Sequence, residues 1–475
     1  MKLAELQHAG RAPLLPLVVE LPDGNLRLLS LLRVLPGQRY VGEAEWRGQR
    51  VLAKVFVGAK AQRHHARECE GARWLHDQGL PTPRLLAEGC NEQGGWVLFE
   101  FLAEAVSLAA EWHAAQDASG FSAAQQRIAQ VALAAIGVLH SRGLWQDDLH
   151  LDNLLRHAGQ LLWIDGGGVC AETVGQPLSA AQALENLGTF FAQLPVEVET
   201  HLDALLPLYQ ATAPHTPLNA RQLHEPIARQ RQWRLRDFIK KTVRDCTLFH
   251  RQCKTGSHYV GRREWADDVF PILENADAVI ARGESLKQGG SATVVRVKFE
   301  GRWLVIKRYN LKNTWHWLKR CWRPTRAWHS WIEGNRLDFL GISTPKPLAV
   351  REERRFGLRG RGWLITEYTG GVDILSHFAG YTESRPPEPQ LIALDYLFNT
   401  LLRERISHGD FKGTNLFWQN GRWVLIDLDA VQQHRCPRRF ARAYAKDRAR
   451  FLRNWPADSA LYQLLDQRLP QVPRT

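Results

Sequence analysis

The chain has 475 residues, of which 44% are hydrophobic and 23% charged, a composition that excludes an intrinsically disordered protein. Lysine and arginine number 62 against 49 acidic residues, and the net charge of +13 favours an anionic partner: a nucleotide, a nucleic acid, a phosphorylated glycan or an anionic membrane surface. The seven cysteines form no C-x-x-C pair, which argues against a disulfide framework and a structural zinc site. No apolar run approaches the roughly 18 residues of a membrane span, so we expect a cytosolic chain that meets a membrane only through its surface.

The first half of the chain begins with strands and continues into helices. Alternating apolar and polar residues predict strands over residues 47–57. A helix is predicted over 64–78, because Gly79 and the prolines beyond it would end it. An apolar strand over 96–102 and a long helix over 123–140 follow. This order, a β-rich part followed by a helical part, predicts an α+β fold.

The second half repeats this plan, with strands over 292–308, a helix over 325–340, a strand over 363–369 and a helix over 389–405. Three motifs recur in the same order, each 262 residues after its first occurrence: GLPTPRLL and GISTPKPL, DLHLDNL and DFKGTNL, LWID and VLID. Three matches at one offset indicate a duplication. We therefore predict two tandem bilobal domains, residues 1–258 and 259–475, with the joint near residues 255–261.

Each copy carries one amide and two acidic residues at the same spacing after its long helix. They are Asp148, Asn153 and Asp165 in the first copy, and Asp410, Asn415 and Asp427 in the second. Phosphoryl transfer needs a carboxylate beside the acceptor hydroxyl and oxygen ligands that hold Mg²⁺ against the phosphates. An Asp and an Asn five residues apart on a loop, and a second Asp at the end of the next strand, can converge on one metal ion.

Each copy also places one lysine, Lys54 or Lys307, on an apolar strand. A lysine there is costly to bury unless it is paired, and phosphoryl transfer needs a lysine that neutralises the nucleotide phosphates. Glu68, on the following helix, fits as the ion-pair partner of Lys54. The matching position in the second copy is Ser330, with Glu333 only as an approximate substitute, so we expect nucleotide binding there to be altered or impaired.

These residues resemble the catalytic loop and the metal-binding aspartate of the protein-kinase superfamily. The resemblance implies that Asp148 and Asp410 are catalytic bases and that Lys412 lies near the transferred phosphate. It further implies metal ligands at Asn153, Asp165, Asn415 and Asp427, and nucleotide-binding roles for Lys54, Glu68 and Lys307. ATP and Mg²⁺ are the implied cofactors. Gln146 and Asp147 replace the usual His-Gly before the first catalytic aspartate, a departure that bears on how Asp148 is held.

A narrower resemblance is to the bacterial lipopolysaccharide core kinases. It rests on the motif QDDLHLDN at 146–153, the two Thr-Pro motifs, KKTVRDCT at 240–247 and LKQG at 286–289. That family phosphorylates Kdo or heptose of nascent lipopolysaccharide at the inner membrane, with ATP and Mg²⁺, so the resemblance implies a core oligosaccharide or a related glycolipid as substrate. Two alternatives stay open: a compact atypical protein kinase, and a pseudokinase scaffold that binds nucleotide at the membrane. The chain has no A-P-E motif and only a short segment after each metal aspartate, which favours a small or glycan acceptor over a polypeptide.

A basic, tryptophan-rich stretch lies between Arg302 and Arg326, with eight Lys or Arg residues and no acidic residue. Such a stretch could lie on the anionic inner membrane, with indoles at the interface and cations on headgroups, or could be a solvated face whose indoles pack inward. Two further basic runs, 229–254 and 435–453, are either phosphate-binding helix faces or solvated helices. No nucleic-acid-binding module is recognised, so we do not expect nucleic acid as a partner.

Overall fold

The structure is a computed structural model, and it describes residues 1–116, 121–254, 256–289, 291–311, 317–318 and 321–472. The chain divides into two compact units, Met1–Arg234 (unit 1) and Leu235–Thr475 (unit 2). The boundary expected from the sequence, between residues 258 and 259, instead falls inside a strand of the unit 2 sheet, Ser257–Arg262, whose residues pair on both sides with other strands of that sheet. The division therefore lies 24 residues earlier than expected.

Unit 1 consists of a β-rich part followed by a helical part. Its strands are β1 (Leu17–Leu21), β2 (Gly24–Leu28), β3 (Arg33–Leu35), β4 (Arg39–Trp46), β5 (Gln49–Val57), β6 (Leu85–Asn91), β7 (Gly94–Glu100), β8 (Val106–Ser107), β9 (Leu144–Gln146), β10 (Leu154–His157), β11 (Gln160–Trp163) and β12 (Val169–Ala171). Its helices are α1 (Leu3–Leu6), α2 (Ala61–Asp77), α3 (Leu108–Ala114), α4 (Ala123–Ser141), α5 (Ala180–Phe191), α6 (Leu202–Thr212) and α7 (Ala220–Lys241), the last of which contains the division.

Unit 2 has the same order of parts. Its strands are β13 (Phe249–Lys254), β14 (Ser257–Arg262), β15 (Glu284–Gln288), β16 (Ala292–Phe299), β17 (Arg302–Tyr309), β18 (Pro347–Arg355), β19 (Leu358–Glu367), β20 (Val372–Asp373), β21 (Ile406–Ser407), β22 (Leu416–Gln419), β23 (Arg422–Leu425) and β24 (Gln432–Gln433). Its helices are α8 (Arg263–Glu274), α9 (Ala276–Arg282), α10 (Arg326–Phe339), α11 (Ile374–His377), α12 (Glu388–Arg403), α13 (Pro437–Leu452) and α14 (Ala460–Arg468). The predicted α+β class is confirmed.

The main sheets share four antiparallel strands in the same order. In unit 1 the order is β1-β2-β4-β5-β7-β6, with β3 pairing another part of β4, and in unit 2 it is β13-β14-β18-β19-β17-β16-β15. The common strands are β4-β5-β7-β6 and β16-β17-β19-β18. The extra hairpin of unit 1 attaches to β4, whereas that of unit 2 attaches to β18, the counterpart of β6 at the other edge. The sheet that carries the strand lysine is thus the same in both units, and only its margins differ.

The helix α4 shows how the sequence sets these elements. Ser122 and Gln125 form a reciprocal capping box at its first turn, with bonds of 3.0 and 3.1 Å. Ala129, Leu133 and Ile136 follow at helical spacing and are fully buried. The helix ends at Ser141, immediately before β9. The buried helix therefore fixes the point at which the acidic loop after β9 begins.

The repeated Thr-Pro motif has the same structural role in each unit. Thr82 Oγ1 donates a hydrogen bond to the carbonyl oxygen of Trp163 (2.9 Å), and Thr344 Oγ1 donates to that of Leu425 (2.8 Å). Each acceptor is the last residue of its strand and lies two residues before the aspartate at the repeated position, Asp165 or Asp427. These matched contacts support the two-copy interpretation. Among the described residues, no helix combines the length and apolar character needed to cross a bilayer.

Candidate active sites

The strand lysine of unit 1 lies in an ion-paired cluster. Lys54, on β5, is 7% exposed, and its Nζ lies 2.6 Å from Glu68 Oε1 and 3.2 Å from Asp165 Oδ1. Burial would lower the pKa of Lys54, but the two carboxylates raise that pKa above its ordinary value. Burial likewise opposes ionisation of Asp165, yet Lys54 and Arg39 hold the pKa of Asp165 below its ordinary value. Both groups are therefore charged at neutral pH.

The helix that carries Glu68 packs tightly on the turn Gly166–Gly168. Glu68 Oε2 accepts a hydrogen bond from the backbone N–H of Gly167 (3.1 Å). A Cβ on Gly71 would lie 1.9 Å from the carbonyl oxygen of Gly166, so only glycine lets α2 approach this turn so closely. The position of the Glu68 carboxylate is consequently fixed from both sides, by the strand lysine and by the turn.

Hydrogen bonds close the acidic loop of unit 1. Asn153 Nδ2 donates to Gln146 Oε1 (3.0 Å) and to the carbonyl oxygen of Asp148 (2.9 Å). Gln146 Nε2 in turn donates to the carbonyl oxygen of Ile164 (2.8 Å). Gln146, which replaces the expected histidine, therefore ties the loop to the segment that leads from β11 to Asp165. Because these bonds use the amide hydrogens of Asn153, its Oδ1 stays available to a cation.

The predicted base of unit 1 projects into solvent. The side chain of Asp148 is 80% exposed, and His150 Nε2 lies 3.8 Å from its carboxylate. The preceding Asp147 pairs with Arg67 at 3.0 Å. Asp148 is therefore accessible to an acceptor but weakly held.

In unit 2 the strand lysine contacts two carboxylates from one turn. Lys307 Nζ lies 2.7 Å from Asp427 Oδ1 and 2.8 Å from Asp429 Oδ1. Burial would lower the pKa of Lys307, but Tyr309 and the two carboxylates raise it above the ordinary value. Burial opposes ionisation of Asp427, and Lys307 nevertheless holds its pKa below the ordinary value. Both predicted residues, Lys307 and Asp427, are thus brought together, and Asp429 joins them.

The substitute carboxylate suggested by the sequence, Glu333, does not face Lys307. It pairs with Arg336 one turn further along α10 (2.8 Å). Ser330 Oγ donates instead to Asp429 Oδ1 (3.1 Å). Tyr309 Oη donates to the same oxygen (2.7 Å). One lysine and two hydroxyl groups therefore converge on a single carboxylate oxygen.

Asp429 is the functional residue that the sequence analysis missed. At the offset of 262 it corresponds to Gly167, while Ser330 corresponds to Glu68. In unit 1 the helix supplies the carboxylate and the turn supplies a backbone N–H. In unit 2 the turn supplies the carboxylate and the helix a hydroxyl. The signal was present as a second aspartate two residues after Asp427, in a place where the first copy has glycine.

The acidic loop of unit 2 is held in a similar way. His408 Nε2 lies 3.0 Å from the carbonyl oxygen of Ile426, the contact that Gln146 makes in unit 1, and Asn415 Nδ2 donates to the carbonyl oxygen of Asp410 (2.9 Å). The buried carboxylate of Asp447, on α13, accepts the backbone N–H groups of residues 408 and 409 at 2.6 and 3.0 Å. The loop is therefore anchored to the strand and to α13.

The predicted base of unit 2 lies between two cations. Asp410 is 30% exposed, with Arg450 Nη2 at 2.5 Å and Lys412 Nζ at 3.4 Å from its carboxylate. The sequence identified Lys412, but it placed Arg450 only within a basic run. The contact could not be inferred from sequence, because Arg450 lies 40 residues further along the chain.

The oxygen donors of both units fit a hard divalent cation. Mg²⁺ prefers carboxylate and amide oxygens and keeps several water ligands. Asn153 with Asp165, and Asn415 with Asp427, offer such oxygens, since the amide hydrogens of both asparagines face backbone or side-chain acceptors. Both aspartates are ionised next to a lysine. These pairs are the residues that would hold Mg²⁺.

The basic stretch 302–326 does not present a uniform cationic face. Lys307 and Arg326 face Asp429, and Arg308 lies 2.9 Å from Asp277. Trp317 donates its indole N–H to a backbone carbonyl (2.8 Å), whereas Trp322 is 73% exposed. Lys312, Trp315, Lys319 and Arg320 lie outside the described residues. The described part thus contains both packed and exposed aromatic residues.

The fold and these residue sets define a kinase, a phosphotransferase with a β-rich part, a strand lysine and an acidic loop. Residues 282–460 match the lipopolysaccharide kinase (Kdo/WaaP) family. This segment lies within unit 2, and unit 2 is therefore similar to kinases of lipopolysaccharide sugars.

Two solved structures are similar to part of the chain. WaaP in complex with acyl carrier protein is 16% identical, with 44% of this chain and 88% of that chain covered and a TM-score of 0.31. WbdD bound to a kinase inhibitor is 19% identical, with 45% and 48% covered and a TM-score of 0.30. A search of curated proteins gives no significant match.

Proposed function

We propose that the protein transfers the γ-phosphoryl group of ATP to a hydroxyl of Kdo or heptose in the lipopolysaccharide core, and that unit 2 carries this transfer. The observation that supports it most is the arrangement around Asp410, a half-buried carboxylate held by Lys412 and Arg450 beside the loop that carries Asn415. The family match lies in the same unit. The sequence led us to expect an impaired second copy because Lys307 lacked a partner, and Asp429 removes that reason.

In the proposed reaction the oxygen of the sugar hydroxyl forms a bond to the γ-phosphorus of ATP. The bond from that phosphorus to the bridging oxygen breaks, and ADP leaves with the electron pair. Asp410 orients the hydroxyl and accepts its proton. Lys412 and Arg450 neutralise the negative charge near the transferred group, and Lys307 binds the nucleotide phosphates. Mg²⁺, when bound, would neutralise charge on the phosphate oxygens.

We propose that unit 1 is a second nucleotide-binding centre. Lys54, Glu68 and Asp165 form a connected ion-paired set, and Asn153 has a free oxygen. Asp148, however, is 80% exposed; His150 lies 3.8 Å from its carboxylate, and Arg234 interacts with it through its charge. The weak hold on Asp148 favours nucleotide binding over transfer in this unit.

A protein-kinase activity is disfavoured by the length of the segments after the metal aspartates. Only nine residues separate Asp427 from the start of α13, and fourteen separate Asp165 from the start of α5. A 3₁₀ turn and a short strand take up six of these residues in unit 1 and five in unit 2. Such short segments leave little chain for a docking strip along a polypeptide substrate.

We also propose the cytoplasmic face of the inner membrane as the place of action, since a glycolipid acceptor cannot diffuse to the enzyme. Trp322 and Leu318 are 73% and 47% exposed, and the neighbouring Arg323 is exposed as well. Exposed apolar side chains beside cations favour an anionic interface.

The acceptor can be tested with purified protein, labelled ATP and Mg²⁺. We expect label in dephosphorylated core oligosaccharide, and little in an added polypeptide or in the protein itself. Label that enters polypeptide but not oligosaccharide would establish the protein-kinase alternative. Nucleotide binding without turnover on either acceptor would instead favour the scaffold.

A further inference from the structure

Three side chains from two elements of unit 1 meet outside the nucleotide site. His65 and Cys69 lie one turn apart on the same face of α2, and Glu88 lies on β6. One donor atom from each residue can be chosen so that all three lie within 4.8 Å of one another. The sequence did not indicate this group, because its cysteine is not part of a C-x-x-C pair and the glutamate lies nineteen residues further along the chain.

The distances suit a tetrahedral cation. His65 Nε2 lies 3.4 Å from Cys69 Sγ. Bonds of about 2.0 Å to nitrogen and about 2.3 Å to sulfur, at the tetrahedral angle, place two such ligand atoms about 3.5 Å apart. Imidazole nitrogen, thiolate and carboxylate are together a donor set that Zn²⁺ accepts.

Each ligand is prepared in a different way. The His65 ring also lies near the backbone carbonyl of Trp96, an acceptor within its reach. A ring whose second nitrogen donates to a carbonyl is the usual state of a metal-bound histidine. Glu88 Oε2 is buried without a hydrogen-bond partner. Cys69 is 3% exposed, and its Sγ faces the His65 ring at 3.4 Å.

We propose that His65, Cys69 and Glu88 form a Zn²⁺ site that joins α2 to β6. On binding, Cys69 loses its thiol proton to solvent and forms a thiolate–zinc bond, His65 binds through Nε2, and Glu88 binds through Oε2. The fourth position is left to water. Because Cys69 follows Glu68 directly on α2, the ion would also hold the helix that presents the partner of Lys54.

The positive charge of Arg73 opposes Zn²⁺ binding at this site, and its removal gives a test that distinguishes metal binding from a packing role. Its guanidinium pairs with Glu88 Oε1, so it competes for the carboxylate and repels a cation. Arg73→Met should therefore tighten Zn²⁺ binding, whereas loss of a side chain that served only packing would not.

The test is a Zn²⁺ titration of chelator-stripped full-length protein against a chromophoric chelator, with Co²⁺ absorption as a probe of thiolate ligation. We expect one site of highest affinity per chain, one proton released per ion, and a cobalt–thiolate band. His65→Gln, Glu88→Gln and Cys69→Ala should each weaken this site by at least about 100-fold, and the cysteine variant should lose the band. Cys253→Ser is the matched control, because Cys253 is exposed and lies 3.9 Å from the ring of His258, and it should bind like the wild type.

Circular dichroism in excess chelator shows whether each variant folds without metal, so that a loss of Zn²⁺ binding can be separated from a loss of folding. A variant that folds as the wild type does without metal, yet does not bind Zn²⁺, supports the site. The proposal is overturned if the stripped wild-type protein takes up no Zn²⁺, or if folded His65→Gln and Glu88→Gln bind as the wild type does. Neither readout depends on phosphotransfer, so failure here leaves the proposed function unaffected.

Discussion

The two units pair their strand lysine with carboxylates that come from different structural elements. In unit 1 the strand lysine is held by a helix carboxylate, Glu68, whose second oxygen accepts the N–H of Gly167. In unit 2 the carboxylate belongs to the turn, Asp429, and the helix offers the hydroxyl of Ser330. A buried ammonium group requires a nearby carboxylate. The comparison indicates that it does not require one particular element to supply it.

The exchange involves a third position. Two residues after the strand lysine, unit 1 has Phe56, which is buried beside His64 and His65. Unit 2 has Tyr309 there, and its hydroxyl donates to Asp429. A carboxylate on the turn therefore comes with two hydroxyl donors. A carboxylate on the helix comes with a glycine turn and an apolar neighbour.

Removing the two candidate bases separately should have the largest effect on activity. Asp410→Asn keeps the shape of the side chain but removes its charge, and we expect transfer to core oligosaccharide to fall by about 10²-fold or more, as loss of a general base usually causes. Asp148→Asn should leave this transfer within a few-fold of the wild type. Steady-state rates with labelled ATP, beside nucleotide affinity as a control, measure both. The opposite ranking would place the transfer in unit 1.

Exchanging the carboxylates tests the reciprocal arrangement directly. Glu68→Ser leaves Lys54 short of its closest partner in a nearly dry site, and removing one member of a buried ion pair costs about 3–5 kcal/mol. Asp429→Gly should cost less, because Lys307 is more exposed than Lys54. Its remaining partner Asp427, at 2.7 Å, is also closer than Asp165 is to Lys54, at 3.2 Å. Adding Gly167→Asp to the first variant, and Ser330→Glu to the second, should restore most of the loss.

The control for this exchange is Gly167→Asp alone. A Cβ there would lie 2.9 Å from Glu68 Oε2, so two carboxylates would compete for Lys54, and the variant should be destabilised. Denaturant unfolding and nucleotide titration report the effects. If neither double variant recovers beyond its single variant, the two positions are not equivalent.

Much of both candidate active sites could be predicted from sequence, because the number of residues between their key side chains is visible in the chain. The Asp-Asn-Asp spacing identified both acidic loops, and Lys54 with Glu68 followed from a strand lysine and a helix ended by Gly79. The role of Asp429 was missed although the extra aspartate is visible in the sequence, since its pairing depends on how closely a turn approaches a strand 122 residues away. Arg450 and Glu88 were missed for the same reason: each meets its partner only through tertiary packing. The boundary between the two units was misplaced because residues 235–258 contain the end of a helix and a strand. In the sequence, these two elements fit the end of unit 1 as well as the beginning of unit 2.

A buried histidine distinguishes the helical parts of the two units under acid. His140 is fully buried between Tyr209 and Asn186, and burial lowers its pKa to about 4, whereas unit 2 has Leu402 at the matching position. The unfolded chain binds a proton near the ordinary pKa of about 6.5, so the unfolded state gains protons first. His140 therefore costs stability as pH falls from about 6.5 to 4, by roughly 3 kcal/mol in total.

His140→Gln keeps a polar side chain at this position but removes the titration. We expect its free energy of unfolding to depend less steeply on pH than that of the wild type over this range, with similar slopes above pH 7. Denaturant unfolding at a series of pH values measures the two slopes. Identical slopes below pH 6 would mean that His140 is protonated in the folded protein.

The smallest expected effect concerns membrane contact, which we assign to unit 2. The basic stretch 302–326 includes Lys312, Lys319 and Arg320, which lie outside the described residues, so the test uses described side chains. Trp322 is 73% exposed beside Arg323, and Trp233, on α7 of unit 1, is 61% exposed. Each engaged cation contributes about 1 kcal/mol near an anionic surface, screened by salt. Trp322→Ser with Arg323→Gln should therefore reduce co-sedimentation with anionic vesicles several-fold at low salt, while ATP affinity stays unchanged.

Trp233→Ser, the matched loss of an exposed indole, should bind as the wild type does. Equal losses in both variants would indicate that any exposed tryptophan contributes, and sedimentation that ignores salt as well would exclude the electrostatic contact.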